Sequence, residues 1–285
     1  MTYSQVYLNG KACLQKAGIE SPAFEAMCLF EAVFQMNRQL LAVKGEDDAP
    51  NGDIVTFNEM IQQRCGKRPL QYILGKWPFL DLMLEMGEGV LIAREDTEVL
   101  VRTADEHLRG RHRPQVLDLC AGTGAVGLGL ASLMKDVAVT CVEYYDTAFR
   151  YLERNVAANG LESQVSLVRA DVLAGPAPGA FQMVDGILSN PPYVKTAELE
   201  TLQAEVQKEP KEALDGGEDG LTFYRAIAGL WLPLLKPGGL VALEVGEGQS
   251  RQVGRLLEEA GIQQVRYAND FGGIERVVFG TAPRD

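Results

Sequence analysis

The stretch Asp118-Leu119-Cys120-Ala121-Gly122-Thr123-Gly124-Ala125-Val126-Gly127 decides the fold class. An apolar run at 116–120 ends in a turn with glycines at 122, 124 and 127, and helix-like sequence follows. A glycine turn at the carboxyl end of a first strand lets backbone approach a ligand closely, just where the next helix begins. Outward from this point, short apolar runs recur at 137–142, 165–168, 184–188, 240–245 and 274–279. Helix-like stretches such as 147–158, 222–235 and 250–260 lie between them. That order predicts an α/β domain with a mostly parallel sheet covered on both faces.

Upstream the period changes. Residues 1–70 read as a bundle of three or four short helices, with Tyr3, Val6, Tyr7, Cys13, Leu14 and Ala17 at helix-face spacing. Ser21-Pro22 reads as an N-cap followed by proline at the first helical position. After a polar break at 44–52, Asp53 is expected to cap a further helix carrying Ile54, Phe57, Met60 and Ile61. Over 71–92, Leu80, Leu82, Leu84 and Met86 alternate with Asp81, Met83 and Glu85, which predicts one arm of a β-hairpin joining two domains. Helical character resumes from Arg94 to Arg102, and a second domain spans 93–285.

Composition narrows the partners. The formal net charge is −12 and no run of Lys and Arg is visible. Nucleic-acid binders draw most of their affinity from a basic face that releases counterions, so cationic protein partners and small ligands are expected instead. The five cysteines form no C-x-x-C pair, and with only two histidines, His107 and His112, metal sites and Ser-His-Asp chemistry are not expected. No apolar run is long enough to span a bilayer and no signal segment is visible, so a cytoplasmic protein is expected.

The glycine turn alone fits a dinucleotide enzyme as well as any other, since Gly122, Gly124 and Gly127 satisfy G-x-G-x-x-G. Glu143 ends the second strand at the position of a carboxylate that binds ribose hydroxyls. Asp171, after the third, is placed to meet an adenine amino group, with Val172 against the ring; a helix N-cap is its structural alternative. Asp118 favours S-adenosylmethionine over a dinucleotide, because an acid near the turn suits a cationic ligand and repels a pyrophosphate. The alternative for Asp118 is a buried carboxylate that holds the turn by hydrogen bonds.

The fourth strand ends in Asn190-Pro191-Pro192-Tyr193. Each proline fixes its own φ and restricts the residue before it, so the segment is a rigid corner that presents carbonyls and an aromatic face. This suits an NH2 group on a planar acceptor. An amide nitrogen is a poor nucleophile, its lone pair delocalised by a resonance that the roughly 18–20 kcal/mol rotation barrier gauges. Asn190 Oδ1 and the Pro191 carbonyl can each accept one N–H, holding the nitrogen towards a methyl donor and strengthening as charge builds on it. Tyr193 is expected to stack on the planar group.

With this corner in place the chain resembles the HemK/PrmC glutamine N5-methyltransferases. The resemblance covers nearly the whole length. Its blocks are Arg68-Pro69-Leu70-Gln71-Tyr72-Ile73-Leu74-Gly75, Leu91-Ile92-Ala93-Arg94-Glu95-Asp96-Thr97-Glu98, Ala213-Leu214-Asp215-Gly216-Gly217-Glu218-Asp219-Gly220-Leu221 with Phe223-Tyr224-Arg225, Lys236-Pro237-Gly238-Gly239 and Leu243-Glu244-Val245-Gly246. It departs from the family pattern at 93–98, which lacks two prolines, and at Cys120-Ala121. The resemblance implies a seven-stranded Rossmann-like sheet, a hairpin and a helical N-terminal domain that helps dock the substrate. It also implies S-adenosylmethionine as cofactor, with S-adenosylhomocysteine as product. Cys120, Ala121, Gly122, Thr123, Gly124, Glu143, Asp171 and Val172 then line the cofactor site. Asn190 binds the acceptor amide and borders the cofactor, and Pro191, Pro192 and Tyr193 complete the acceptor site. The implied substrate is the Gly-Gly-Gln loop of peptide chain release factors, and the implied process is translation termination. A ribosomal-protein glutamine, a DNA adenine, a dehydrogenase and a non-catalytic binding module stay open as alternatives.

Overall fold

A computed structural model describes residues 1–284, which divide into two units: 1–75 with 203–208, and 76–202 with 209–284. The first unit is helical. Helix α1 (Tyr3–Lys16) opens with a capping box, in which Thr2 and Gln5 each satisfy the other's backbone N–H. Helix α2 (Pro22–Phe34) starts at proline as expected, although Ser21 makes no capping bond. Helices α3 (Arg38–Lys44), α4 (Asn51–Cys65) and α5 (Leu70–Leu74) follow. Phe30 and Phe57 meet edge to face at 5.7 Å in the core of this unit, among Leu14, Leu29 and Ile61. Asp53 is not the cap of α4: Pro50 holds that position and Asp53 lies in the first turn, where its charge complements the helix dipole. Helix α5 also corrects the reading of 71–75 as the start of the hairpin. The excursion 203–208 belongs to this unit through Arg64, which is 2% exposed. Arg64 pairs with Glu25 and, at 2.6 Å, with Glu205, so its buried charge is matched.

The second unit begins with the hairpin β1 (Lys76–Phe79) and β2 (Leu82–Glu85). Leu82 and Leu84 are buried while Met83 is exposed, as alternation predicts, but Leu80 sits in the turn at φ 50°. After α6 (Thr97–Leu108), strands β3 (Gln115–Leu119), β4 (Ala138–Glu143), β5 (Val165–Arg169), β6 (Val184–Ser189), β7 (Leu235–Glu244), β8 (Gln263–Asn269) and β9 (Glu275–Thr281) form one sheet of order β5-β4-β3-β6-β7-β9-β8. Strands β3 to β7 run parallel, and β9 and β8 are antiparallel. Helices α7 (Ala125–Leu133), α8 (Asp146–Ala158), α9 (Thr222–Ala226) and α10 (Ser250–Glu259) connect the strands. The helix expected over 222–235 is broken: α9 passes into a wide turn at Ile227–Trp231 and a tight one at Leu232–Leu234. Pro233, in that second turn, lacks the N–H an α-helix needs.

The topology places the site. From β3 the chain winds one way through β4 and β5, then returns to β6 on the other side of β3. Ligands of open α/β sheets bind at such a reversal, outside the carboxyl ends of the strands. Leu119 pairs with Ser189 across β3 and β6, so the next residues, Cys120 and Asn190, leave the sheet as neighbours. The Ser189 hydroxyl fastens this junction by donating to the Leu119 carbonyl at 2.6 Å.

Candidate active site

A cleft of about 1050 Å3, including its open mouth, lies over these strand ends. Its floor is the glycine turn: Cys120, Ala121, Gly122 and Thr123 line it, with Cys120 at φ 60° and Gly122 at φ 56°. Glu143 and the pair Asp171-Val172 form one wall, and Asn190 and Pro192 face them from the other side. Phe223 and the Val90–Ile92 segment supply apolar surface.

Glu143 is 6% exposed, and its carboxylate holds the turn. Oε2 accepts the Gly122 N–H at 2.8 Å and Oε1 those of Tyr144 and Tyr145, also at 2.8 Å. Burial raises its pKa, and these three amides draw it back down. A carboxylate has about four acceptor positions, so one is left towards the cleft. Asp171 Oδ1 accepts the Leu173 N–H at 2.8 Å within its own turn, and no helix starts there. Val172 is pinned because Trp231, fully buried, donates its indole N–H to the Val172 carbonyl at 2.9 Å.

Two residues expected to line the cofactor site, Asp118 and Gly124, are not among those that line the cleft. Asp118 is fully buried beneath the turn, where Oδ2 accepts the Gly127 N–H at 2.8 Å. Burial pushes its pKa up to about 7. It buttresses the turn from below. Gly124 stands at φ 87° at the start of α7, where a Cβ would strike Leu128 and Leu152 at 2.5 and 2.6 Å; its requirement is backbone shape and packing.

The Asn-Pro-Pro-Tyr corner divides between two cavities. Asn190 and Pro192 line the cleft, whereas Tyr193 lines a smaller polar cavity with Arg94, Asp96, Glu244 and Arg276. Pro191 is buried and lines neither. The block 213–221 explains itself here. A Cβ on Gly216 would lie 2.7 Å from Tyr193 Cα and 2.8 Å from the Pro192 carbonyl oxygen, so only glycine lets this loop back the corner. Gly216 N–H donates to the Val194 carbonyl at 2.7 Å, and Gln249 Nε2 donates to that of Tyr193 at 2.9 Å. Burial lifts the Tyr193 phenol to about 12, so it stays neutral.

Asn190 Nδ2 donates to Thr97 Oγ1 at 3.2 Å, and Asn190 Oδ1 is buried with no hydrogen-bond partner. An orphaned buried acceptor costs about 1–3 kcal/mol, and a ligand N–H would recover that cost. Neither Thr97 nor Glu244 stands out in the sequence reading except inside family blocks. A signal for Glu244 does exist: it is the one charge in the otherwise apolar run 240–245. The second wall of the cleft is fixed by Glu209, 4% exposed, which accepts the Ile92 N–H at 2.9 Å and pairs with Arg94.

Residues 5–75 match the family model of the PrmC N-terminal domain, and residues 95–220 that of the methyltransferase small domain. The chain is 32% identical to the release factor glutamine methyltransferase of Clostridium botulinum, over 98% of both chains. It is 36% identical to that of Geobacter sulfurreducens, over 94% of this chain and 92% of the relative. Among solved structures, the fold is similar to that of the Thermus thermophilus 16S rRNA N2 G1207 methyltransferase in complex with AdoMet and guanosine. The TM-score is 0.52 at 22% identity, covering 73% of this chain and 49% of that one.

Proposed function

Because the chain belongs to the release factor glutamine methyltransferase family, we propose that it methylates the side-chain amide nitrogen (N5) of the glutamine in the Gly-Gly-Gln loop of peptide chain release factors. The observation that carries this reading is the orphaned Oδ1 of Asn190 on a corner shared by two cavities. The larger cavity suits S-adenosylmethionine: Glu143 towards the ribose, Asp171 and Val172 towards the adenine, and the 120–123 backbone beneath. The smaller one, walled by Tyr193, admits the glutamine side chain of the protein substrate.

When bound, S-adenosylmethionine would supply an electrophilic methyl group to the amide nitrogen and leave as S-adenosylhomocysteine. The chain's own part is positioning. Asn190 Oδ1 accepts one amide N–H and the Pro191 carbonyl the other, turning the lone pair towards the methyl carbon. As positive charge grows on nitrogen both hydrogen bonds strengthen, so they favour the transition state over the ground state. The proton then leaves to water.

The acidic chain, at −12, complements a partner with basic regions. Release factors work in the cytosol, and the enzyme belongs there with them; no helix among the described residues is long and apolar enough to cross a membrane. The helical unit serves docking of the factor. Incubation with methyl-labelled cofactor and purified release factor, followed by mass-spectrometric mapping, is expected to place one label on the Gly-Gly-Gln glutamine. A factor that stays unlabelled while a ribosomal protein or DNA takes the methyl group overturns the substrate assignment.

A further inference from the structure

Strand register sets Glu244 beside Asn190. Strands β6 and β7 run parallel with Ser189 opposite Leu243. The next residues, Asn190 and Glu244, therefore stand side by side at the carboxyl edge of the sheet, one strand spacing or about 4.8 Å apart. Leu119 pairs with Ser189 in the same row, so Cys120 is the corresponding residue on the other flank of Asn190. Across three neighbouring strands the edge reads Cys120, Asn190, Glu244. Cys120 belongs to the floor of the cofactor cleft, Asn190 holds the acceptor amide, and Glu244 lies one strand further out, in the smaller cavity.

Glu244 is 2% exposed, and its Oε2 is buried with no hydrogen-bond partner. Carboxylate oxygens are rarely left so, because burial strips their water and nothing replaces it. The two arginines of the cavity are engaged elsewhere: Arg276 with Asp270 at 2.9 Å and Asp96 at 3.5 Å, and Arg94 with Glu209. Oε2 is thus an unfilled acceptor, like Asn190 Oδ1 one strand away. What fills it follows from the donors that a glutamine in a Gly-Gly-Gln loop still has. Both N–H groups of its amide go to Asn190 Oδ1 and the Pro191 carbonyl in the arrangement proposed above. Glycine has no side-chain donor, so the donors left on this stretch are backbone N–H groups. Adenine, by contrast, presents ring-nitrogen acceptors beside its amino group, and a carboxylate repels them.

We propose that Glu244 is a substrate-binding residue: its Oε2 accepts a backbone N–H of the polypeptide that carries the target glutamine, and so selects a peptide over a nucleobase. The inference rests on the role proposed for Asn190 and deepens it. Asn190 fixes the reacting nitrogen, and Glu244 fixes the main chain next to it. Two anchors on adjacent strands give the incoming side chain a direction as well as an end point. The Glu244 main chain is itself held, since its carbonyl accepts the Tyr224 hydroxyl at 2.8 Å.

The experiment is a double-mutant cycle in which one partner is the substrate backbone. Release factors are assembled by ligation around a synthetic loop in which single backbone N–H groups, at the glutamine and at its near neighbours, are replaced by an ester oxygen. Each replacement removes one donor and leaves every side chain in place. Methylation is measured with the unaltered enzyme and with Glu244→Ala at pH 8, above the value of about 7 to which burial raises the Glu244 carboxyl. The proposal expects one ester to lower kcat/KM of the unaltered enzyme by about 10- to 100-fold, the worth of a hydrogen bond to a charged group. The same ester should cost Glu244→Ala less than about threefold. On the natural factor Glu244→Ala should lose a similar 10- to 100-fold, with Kd for S-adenosylmethionine within about threefold. Glu244→Gln, which keeps the shape and an acceptor without the charge, should show an ester penalty of only about two- to tenfold; it carries the cycle if the alanine variant does not fold. An ester scan that costs the unaltered enzyme nothing, or costs the variants as much as the unaltered enzyme, overturns the contact and leaves the substrate assignment intact. Failure of the unaltered enzyme to label the natural factor overturns the substrate assignment, and the scan is then made on the protein it does label. Transfer to DNA overturns both.

Discussion

Replacing Asn190 by alanine separates function from stability in a way the structure allows to be worked through. The substitution removes two polar atoms with opposite circumstances. Nδ2 makes a 3.2 Å bond to Thr97, and losing such a bond costs about 0.5–1.5 kcal/mol. Oδ1 is buried without a partner, and removing it relieves a desolvation penalty of about 1–3 kcal/mol. The two nearly offset, so the folded state should lose little, and Tm should move by no more than roughly 4 °C at this chain length. Turnover behaves differently. The bond from the acceptor N–H to Oδ1 becomes charge-assisted as nitrogen turns cationic, and is then worth about 1.5–3 kcal/mol, which corresponds to a loss of about 10- to 150-fold in kcat. The cofactor contacts proposed for Glu143, Asp171 and the 120–123 turn, which line the same cleft, are untouched. The assay is therefore threefold: single-turnover methylation of a release factor, calorimetric titration of S-adenosylmethionine, and thermal unfolding. A variant that turns over normally refutes the role given to Oδ1. One that loses cofactor affinity or several kcal/mol of stability in step with its activity shows that Asn190 merely holds the corner together.

Three further substitutions probe the supports of the site. Gly216→Ala drives a methyl group to 2.7 Å from Tyr193 Cα, where only backbone can yield; methylation should drop at least tenfold with cofactor binding less affected, measured by the same pair of assays. Asn155 is fully buried, accepts the Glu85 N–H at 2.6 Å and donates to the Glu85 and Thr123 carbonyls at 3.0 and 2.9 Å. Asn155→Ala orphans these groups and should cost about 3 kcal/mol in urea unfolding; a loss below about 1 kcal/mol would contradict the clamp. Asp118, held at about 7 against roughly 3.9 when unfolded, binds its proton more tightly in the folded state. Its contribution is therefore greatest at low pH and declines as pH rises from about 4 to about 7. Asp118→Asn keeps an acceptor for the Gly127 N–H and should flatten that decline; an unchanged pH dependence of unfolding would show the carboxyl to be ordinary.

The parts of the fold that were legible in the sequence are those in which hydrophobic pattern and backbone demand coincide. The runs at 116–120, 137–142, 165–168, 184–188 and 240–245 each hold a parallel strand, because strands buried on both faces leave continuous apolar sequence. Strand β8 left no such run: in Gln263–Asn269 only Val265, Tyr267 and Ala268 are apolar, and none of its residues is fully buried at this edge of the sheet. The cap of α4 is not legible, because Asp53 has the better capping chemistry while Pro50 holds the position. In the site, the motif revealed that Gly124 and Asp118 are needed but not which side of the turn they serve. Asp118 alternates along β3 and lies under α7, a direction that spacing alone does not carry. The split of Pro192 and Tyr193 between two cavities likewise depends on the 213–221 loop folding back over the corner.

The Arg64–Glu205 pair sets a rule for dissecting the molecule. Since 203–208 counts with the helical unit, the polypeptide passes between the units at three places in sequence, and a single cut after Gly75 does not produce two whole pieces. A fragment starting at Lys76 would carry Glu205 with no guanidinium to meet it. Its neighbour Glu209, which accepts the Ile92 N–H at the wall of the cleft and pairs with Arg94, would then be tethered to a segment that has lost its anchor. A severed catalytic half should thus be handicapped at the cofactor as well as at the protein substrate.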